Sequence, residues 1–290
     1  MESVSNKKWR RLKIAAGLLL LLAVALFVYA VIIEPDQLVV NEVTLSLPRW
    51  PAELSGLRIV AISDLHAGAP HIDDAKLERV VAEINRLHPD VVVILGDFVI
   101  SEIPGGEFVA PEATAEKLKN LRAPGGVYAV LGNHDWWEGG PQVMRALQDA
   151  GIRVLENDAT SVRYHGQTLW LVGLADLWTR QPDVEGSLAK VVSAGPIIAL
   201  THNPDVFPRI TPRVALTLAG HTHGGQVNLP LLGRLVVPSS FGARYAIGHV
   251  EEDGRHLYVT PGIGTSILPV RFRVRPEITL LKIMAGADGS

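Results

Sequence analysis

Residues 14–33 form a run of 20 positions without a charge, mostly Leu, Ala, Val and Ile. At about 1.5 Å per residue, a helix of that length spans roughly 30 Å, the thickness of a bilayer core. Further along, the pattern changes to short apolar, β-branched runs that each end in polar residues. Residues 57–62 lead into Ser63-Asp64-Leu65-His66, and 90–95 into Gly96-Asp97. Residues 127–131 lead into Gly132-Asn133-His134-Asp135, 197–200 into Thr201-His202, and 214–218 into Ala219-Gly220-His221-Thr222-His223.

Between these runs the period changes to that of a helix. Over 73–87, Leu77, Val80, Val81, Ile84 and Leu87 fall on one stripe, with Asp73 or Asp74 as the cap. Residues 141–150 predict a second helix, with proline in its first turn and Gly151 after it. Residues 34–41 read as a short linker and 43–47 as an edge strand stopped by Pro48. The second half carries hairpin signals: 162–165 and 168–172 about Gly166-Gln167, then 245–250 and 257–260 about Asp253-Gly254. Residues 278–283 read as a closing strand. Doubly buried strands alternating with helices indicate an α/β protein, here a four-layer α-β-β-α sandwich of two facing sheets. The chain divides into a basic amino terminus (1–13), an anchor (14–33), a linker with edge strand (34–56) and one domain (57–290).

Charge orients the anchor. Lys7, Lys8, Arg10, Arg11 and Lys13 precede it, while Glu34, Asp36 and Glu42 follow. The positive-inside rule then puts the amino terminus in the cytoplasm and the domain on the far side of the inner membrane. A cleaved signal peptide competes with this reading, but its small-residue pattern, Val28-Tyr29-Ala30, lies inside the apolar run. After residue 33 the chain holds 22 Lys and Arg against 29 Asp and Glu. An acidic body of this kind argues against nucleic acid as a partner. The absence of cysteine excludes disulfides and thiolate metal sites.

Five of the ten histidines sit in the strand-end clusters, each beside a carboxylate, an amide or another histidine. Nitrogen and oxygen donors without sulfur suit Mn, Zn or Fe. In extended chain, residues two apart point the same way, so Asp64-x-His66 and His221-x-His223 can each aim two ligands into one site. Ligands in α/β sheets gather beyond the carboxyl ends of the strands, where all five clusters fall.

Together these five clusters, in this order, resemble the signature of calcineurin-like metallophosphoesterases. The tail, with His223-Gly224-Gly225-Gln226, Arg244-Tyr245, Gly262-Ile263-Gly264 and Arg271-Phe272, resembles a membrane-anchored or exported branch of that family. The branch includes envelope phosphodiesterases and UDP-2,3-diacylglucosamine pyrophosphatase-like enzymes. The resemblance implies two divalent ions. Asp64, His66, Asp97 and His223 would hold one, and Asp97, Asn133, His202 and His221 the other, with Asp97 bridging. It implies attack on phosphorus by hydroxide generated on the metals, with His134 protonating the leaving oxygen and Asp135 orienting His134. The implied substrate is a phosphodiester or pyrophosphate, lipid-linked where the tether confines the enzyme. Two other readings stand beside it: a cytoplasm-facing lipid A pyrophosphatase, and an anchored binding module without turnover.

Outside the signature the residues read less sharply. Trp136-Trp137 is either a packed loop anchor or a wall for the substrate. The apolar stretch 229–237 is either core or a membrane-interface segment, with Arg234 meeting a head group. Arg244 and Arg271 either contact phosphate or brace the C-terminal sheet. His71, His88, His165, His249 and His256 read as surface or loop residues, with His71 near enough to the first cluster to meet substrate.

Overall fold

The computed structural model describes residues 2–100 and 103–286. Helix α1, Glu2–Val28, carries the apolar run and continues through a π-type turn, Tyr29–Ile33, and a 3-10 turn, Glu34–Asp36. Among the described residues it is the one helix long and apolar enough to cross a membrane. Leu18, Leu21 and Phe27 on it are exposed, as expected of side chains that meet lipid rather than protein.

Twelve strands follow in the described residues: β1 Val39–Leu47, β2 Leu57–Ile62, β3 Val91–Leu95, β4 Val127–Val130, β5 Arg153–Val154, β6 Asp158–Tyr164, β7 Gln167–Gly173, β8 Ile197–Leu200, β9 Leu216–Ala219, β10 Gly248–Glu252, β11 Arg255–Val259 and β12 Glu277–Ala285. They form two sheets, ordered β1-β12-β2-β3-β4-β5 and β10-β11-β9-β8-β7-β6. Strands β2 to β5 are parallel neighbours in the first, and β7, β8, β9 and β11 run parallel in the second.

Alternation along the strands builds the layers. Val60, Ile62, Val92 and Ile94 face helices α2 (Asp74–Arg86), α3 (Pro111–Leu118) and α4 (Asn133–Asp149). Ile59, Ala61, Val91 and Val93 face the other way and pack on Leu169, Leu171, Ile198 and Leu200 of the second sheet. The outer side of that sheet is covered by α5 (Val184–Ala189) and a 3-10 segment, Pro204–Arg209. This is the four-layer sandwich expected from the sequence. Asp73 caps α2, its carboxylate accepting from the Lys76 amide at 2.8 Å.

Several expectations change. The segment 34–41 is not a loose linker: Glu34 and Pro35 are buried, and β1 begins at Val39, pairing with β12 from Glu277 onward. The Glu34 carboxylate accepts from the Val274 amide at 2.6 Å, which anchors the segment. The first hairpin turns on His165-Gly166 rather than Gly166-Gln167, both central residues having positive φ as a type I′ turn requires. Tyr245 lies in a 3-10 turn, Gly242–Tyr245, ahead of β10. The helix expected over 141–150 is present as the second part of α4, after a break at Gly139 (φ 117°); a short helical segment precedes it, with Asn133, His134 and Asp135 in its first turn.

Candidate metal centre

Each cluster sits just past the carboxyl end of β2, β3, β4, β8 or β9, where the two sheets open together. The two-apart spacing works differently from the extended-chain expectation. Asp64, His66, Asp97, His221 and His223 all have φ between 48° and 69°. Non-glycine residues in this region cost about 1–3 kcal/mol each and persist only where the surroundings fix them. Here neighbouring loops do so: the Asp64 amide donates to Gly96 O (2.9 Å), and the His66 amide to Asp97 O (3.0 Å). The Gly264 amide donates to Asp64 O (2.6 Å).

The result is one buried cluster with two halves. In the first, His66 Nε2 and His223 Nε2 face each other at 3.2 Å, and Asp64 Oδ1 lies 3.4 Å from His223 Nε2. In the second, His202 Nε2 lies 3.2 Å from Asp97 Oδ2, 3.2 Å from Asn133 Oδ1 and 3.0 Å from His221 Nδ1. Asp97 Oδ2 is also 3.7 Å from His66 Nε2, so one oxygen looks into both halves. All seven expected ligands are brought together, and all are buried. Gly132 makes this closeness possible, since a Cβ there would stand 2.2 Å from Asp97 Oδ1.

The electrostatics suit cations. Burial pushes His66 and His221 down to about 3 and His223 well below its ordinary value, so all three are neutral imidazoles. Burial pushes Asp64 up to about 6. Burial also opposes charge on Asp97, yet the His202, His66 and His134 rings hold its carboxyl well below the usual range. His202 is the exception: burial opposes its charge, but the Asp97 carboxylate holds it up at about 10. Its Nδ1 donates to Leu95 O at 2.7 Å, which leaves Nε2 to point inward. Asp64 Oδ1 is buried without a donor. Paired carboxylates, neutral imidazoles turned inward by Nε2 or Nδ1, and an unsatisfied buried oxygen fit hard or borderline divalent metals.

The other expected site residues divide. His134 is half-buried at the rim, its amide donating to Asp97 Oδ1 at 2.9 Å and its ring 4.9 Å edge-on from His66. Asp135 does not orient it. The Asp135 carboxylate instead accepts from the backbone amides of Asp97, Phe98, Val99 and Gly132 at 2.8–3.3 Å, because the helix start turns it inward under the β3 loop. Its role is therefore corrected to holding the loop that carries Asp97. Trp136 is corrected as well: it lies beneath the Arg180 guanidinium (4.1 Å), and it is Trp137, exposed, whose ring meets His134 at 4.8 Å.

Arg271 is fully buried and directs its guanidinium to the carbonyls of Pro261, Gly262, Gly264 and Val274, so it braces the chain rather than reaching substrate. Arg244 is held by Glu252 at 2.6 Å beside β10 and likewise braces. Arg234 donates from Nε to Gly224 O at 2.7 Å, next to His223. His71 meets no part of the centre; its Nε2 pairs with Val31 O at 2.9 Å.

Trp178 was missed by sequence reasoning. Exposed, it packs edge-on against His221 at 4.3 Å, on a turn whose amides donate to the buried Asp176 carboxylate. An aromatic after Ala175-Asp176-Leu177 was the available signal, but nothing local ties it to His221. Ser63 was also passed over; its hydroxyl donates to Asp64 Oδ2 and orients that carboxylate.

Comparison with known proteins agrees with this geometry. The calcineurin-like phosphoesterase family pattern matches residues 57–225, so the chain belongs to that family. The phosphodiesterase YaeI of Escherichia coli is 31% identical, over 78% of this chain and 82% of its own length. The UDP-2,3-diacylglucosamine pyrophosphatase LpxG of Chlamydia trachomatis is 28% identical, over 93% of this chain and 97% of its own. A transmembrane protein with metallophosphoesterase domain from Danio rerio is 32% identical over 96% of this chain, which spans 64% of that relative.

Proposed function

We propose that this member of the calcineurin-like phosphoesterase family is a phosphodiesterase that uses two divalent metals and works at a membrane surface on a lipid-linked or envelope substrate. The observation that carries the metal count is Asp97, whose Oδ2 lies 3.2 Å from His202 Nε2 and 3.7 Å from His66 Nε2. One carboxylate oxygen shared between two ligand sets is the arrangement a dinuclear centre needs.

Asp64, His66, Asp97 and His223 would hold one ion, and Asp97, Asn133, His202 and His221 the other. Such a pair, when bound, supplies Lewis-acid polarisation of the phosphoryl group and an acidified water. The protein's own part is positioning. Asp135 fixes the Asp97 loop, and Ser63 turns Asp64.

 The Leu95 carbonyl, accepting from His202 Nδ1 at 2.7 Å, holds that ring with Nε2 facing Asp97.

His134 is the candidate general acid. It stands at the rim, and burial lowers its pKa, so near neutral pH it is a neutral ring able to donate one hydrogen bond to a phosphoryl or leaving oxygen. An anionic phosphate beside it favours its protonated form, which is the form that delivers a proton to the leaving group. Trp137 against His134 and Trp178 against His221 form two aromatic walls on either side of the centre. The likeness to a phosphodiesterase, YaeI, and to a pyrophosphatase, LpxG, supports a diester or pyrophosphate over a monoester. The basic residues before the apolar helix support a domain on the extracytoplasmic side.

A second reading, a nucleotide-lipid pyrophosphatase, is favoured by the likeness to LpxG over 97% of that relative's length. It requires the domain to face the cytoplasm, so protease accessibility of the body in intact and opened cells separates the two. The activity test uses the full-length chain in detergent, loaded with Mn²⁺ or Zn²⁺, on a chromogenic phosphodiester and the matching monoester. Metal-dependent turnover that prefers the diester supports the proposal. Bound metal with no turnover of any phosphoester would instead support an anchored binding module.

A further inference from the structure

The stretch 229–237, which the sequence left open between core and membrane interface, lies on the surface. Leu231 is 106% exposed, and Leu232, Leu235 and Val236 are also exposed. A second loop does the same with Ile267, 75% exposed, and Leu268. Leu231 and Ile267 both have φ of 67°, so each apolar side chain is displayed from a left-handed backbone position where Leu and Ile are rare.

Both loops are tied to the end of the apolar helix. The Arg271 amide donates to Ala30 O at 2.9 Å, and the Phe272 ring meets Tyr29 edge-on at 6.3 Å. The Phe272 amide donates to Gln226 O and its carbonyl accepts from the Asn228 amide, both at 2.9 Å, at the foot of the first loop. The Gln226 side chain in turn holds the second loop, accepting from the Ser266 amide at 2.7 Å and donating to Leu268 O at 3.2 Å. The same segment exposes Arg273 and Arg275, charges that suit anionic head groups. On the inner side, Arg234 bonds Gly224 O, one residue from the metal-site His223.

We infer that these two loops insert their apolar side chains into the leaflet from which the helix emerges, and that a lipid-linked phosphoester reaches the metal centre sideways across them. Lipid is the occupant because the patch continues from the tether itself. A helix that spans the bilayer and is clasped at residues 271 and 272 keeps both loops within reach of that surface at all times. The delivery half of the inference rests on the phosphodiesterase reading; the insertion half does not.

The chain has no cysteine, so single cysteines at Leu231, Ile267 and Val192 can each carry a fluorophore in the full-length protein. Val192 is the control: it is exposed and precedes β8, at the opposite end of that strand from His202. The protein is reconstituted in phosphatidylethanolamine–phosphatidylglycerol vesicles containing nitroxide-labelled lipid. Labels at Leu231 and Ile267 should be quenched roughly twofold or more beyond Val192. Equal quenching at all three positions would overturn insertion, as would labels shielded from water but not quenched by lipid, which would mark a protein partner. A fluorescent phosphodiester lipid then tests delivery: turnover should be faster in the enzyme's own vesicles than in separate ones, and equal rates would overturn it. Quenched loops with no phosphodiester hydrolysed would sink the phosphodiesterase reading while insertion stands.

Discussion

His66 and His223 bring their Nε2 atoms to 3.2 Å inside a site sealed from solvent. Burial holds both rings below their ordinary pKa, so neither carries an extra proton near neutral pH to relieve the facing lone pairs. A divalent cation held by these two rings would do so, and Asp64, whose Oδ1 lies 3.4 Å from His223 Nε2, would add a third donor. Metal removal should therefore destabilise the fold. A ligand held at a hundredfold its Kd contributes about 2.7 kcal/mol. For a domain of this size that corresponds to a fall in Tm of roughly 5–10 °C on chelation. Thermal unfolding with and without chelator, alongside metal analysis, checks it; loss of metal with no change in Tm would count against this centre.

Asp97 and His134 should fail in different ways. Asp97→Ala removes the oxygen common to both halves, so bound metal and diester hydrolysis are expected to disappear together, with a rate loss on the order of a thousandfold or more. His134→Ala leaves every buried ligand in place. Its metal content should stay at the wild-type level while turnover falls about 10²–10⁴-fold, the usual contribution of a positioned acid. Metal analysis and kcat on the same preparations separate the two. A His134→Ala enzyme that has lost its metal would reassign that ring to the ligand set.

Asp135 is expected to behave as a structural residue. Asp135→Ala would leave the amides of Asp97, Phe98, Val99 and Gly132 without their carboxylate acceptor. Stranding several buried donors costs about 3–5 kcal/mol. Because the freed loop carries Asp97, activity should fall through weakened metal binding and recover in part at higher metal concentration. Denaturant unfolding and a metal titration test this. An Asp135→Ala protein of unchanged stability, inactive at every metal concentration, would restore the role of orienting His134.

The cluster of candidate ligands was legible because its signals are local. A parallel strand buried on both faces is a continuous apolar run, so 91–95 and 197–200 stand out, and the polar residues that end them have few other reasons to be there. What stayed hidden depends on contacts across the chain. Trp178 reaches His221 only once β7 and β9 lie in one sheet. Asp135 reads as a partner of its neighbour His134 because the amides it accepts from lie 36 to 38 residues away, except for Gly132. Residues 34–41 read as a linker because the partner of Glu34 is the distant Val274. The apolar stretch 229–237 could not be resolved from composition, since core and lipid-facing segments use the same residues.

Glu156 gives a test that depends on pH. It is half-buried and accepts from the Leu131 amide at 3.1 Å. Burial pushes its pKa up to about 8 from an ordinary 4.5, and the carboxylates of Asp135 and Asp176 add to the shift. The folded protein thus binds this proton more tightly than the unfolded chain. Its contribution to stability is complete below about pH 4.5 and is lost as pH rises through about 8. Glu156→Gln keeps the acceptor for Leu131 and removes the titration. At pH 5 the variant and wild type should unfold at similar temperatures. At pH 9 wild type must hold a half-buried carboxylate beside Asp135 and Asp176, and the variant should be the more stable by about 2 kcal/mol. Thermal unfolding across pH 5–9 reads the difference directly. A difference that does not change with pH would mean that Glu156 ionises normally in the folded protein, with water reaching it behind the β4 loop.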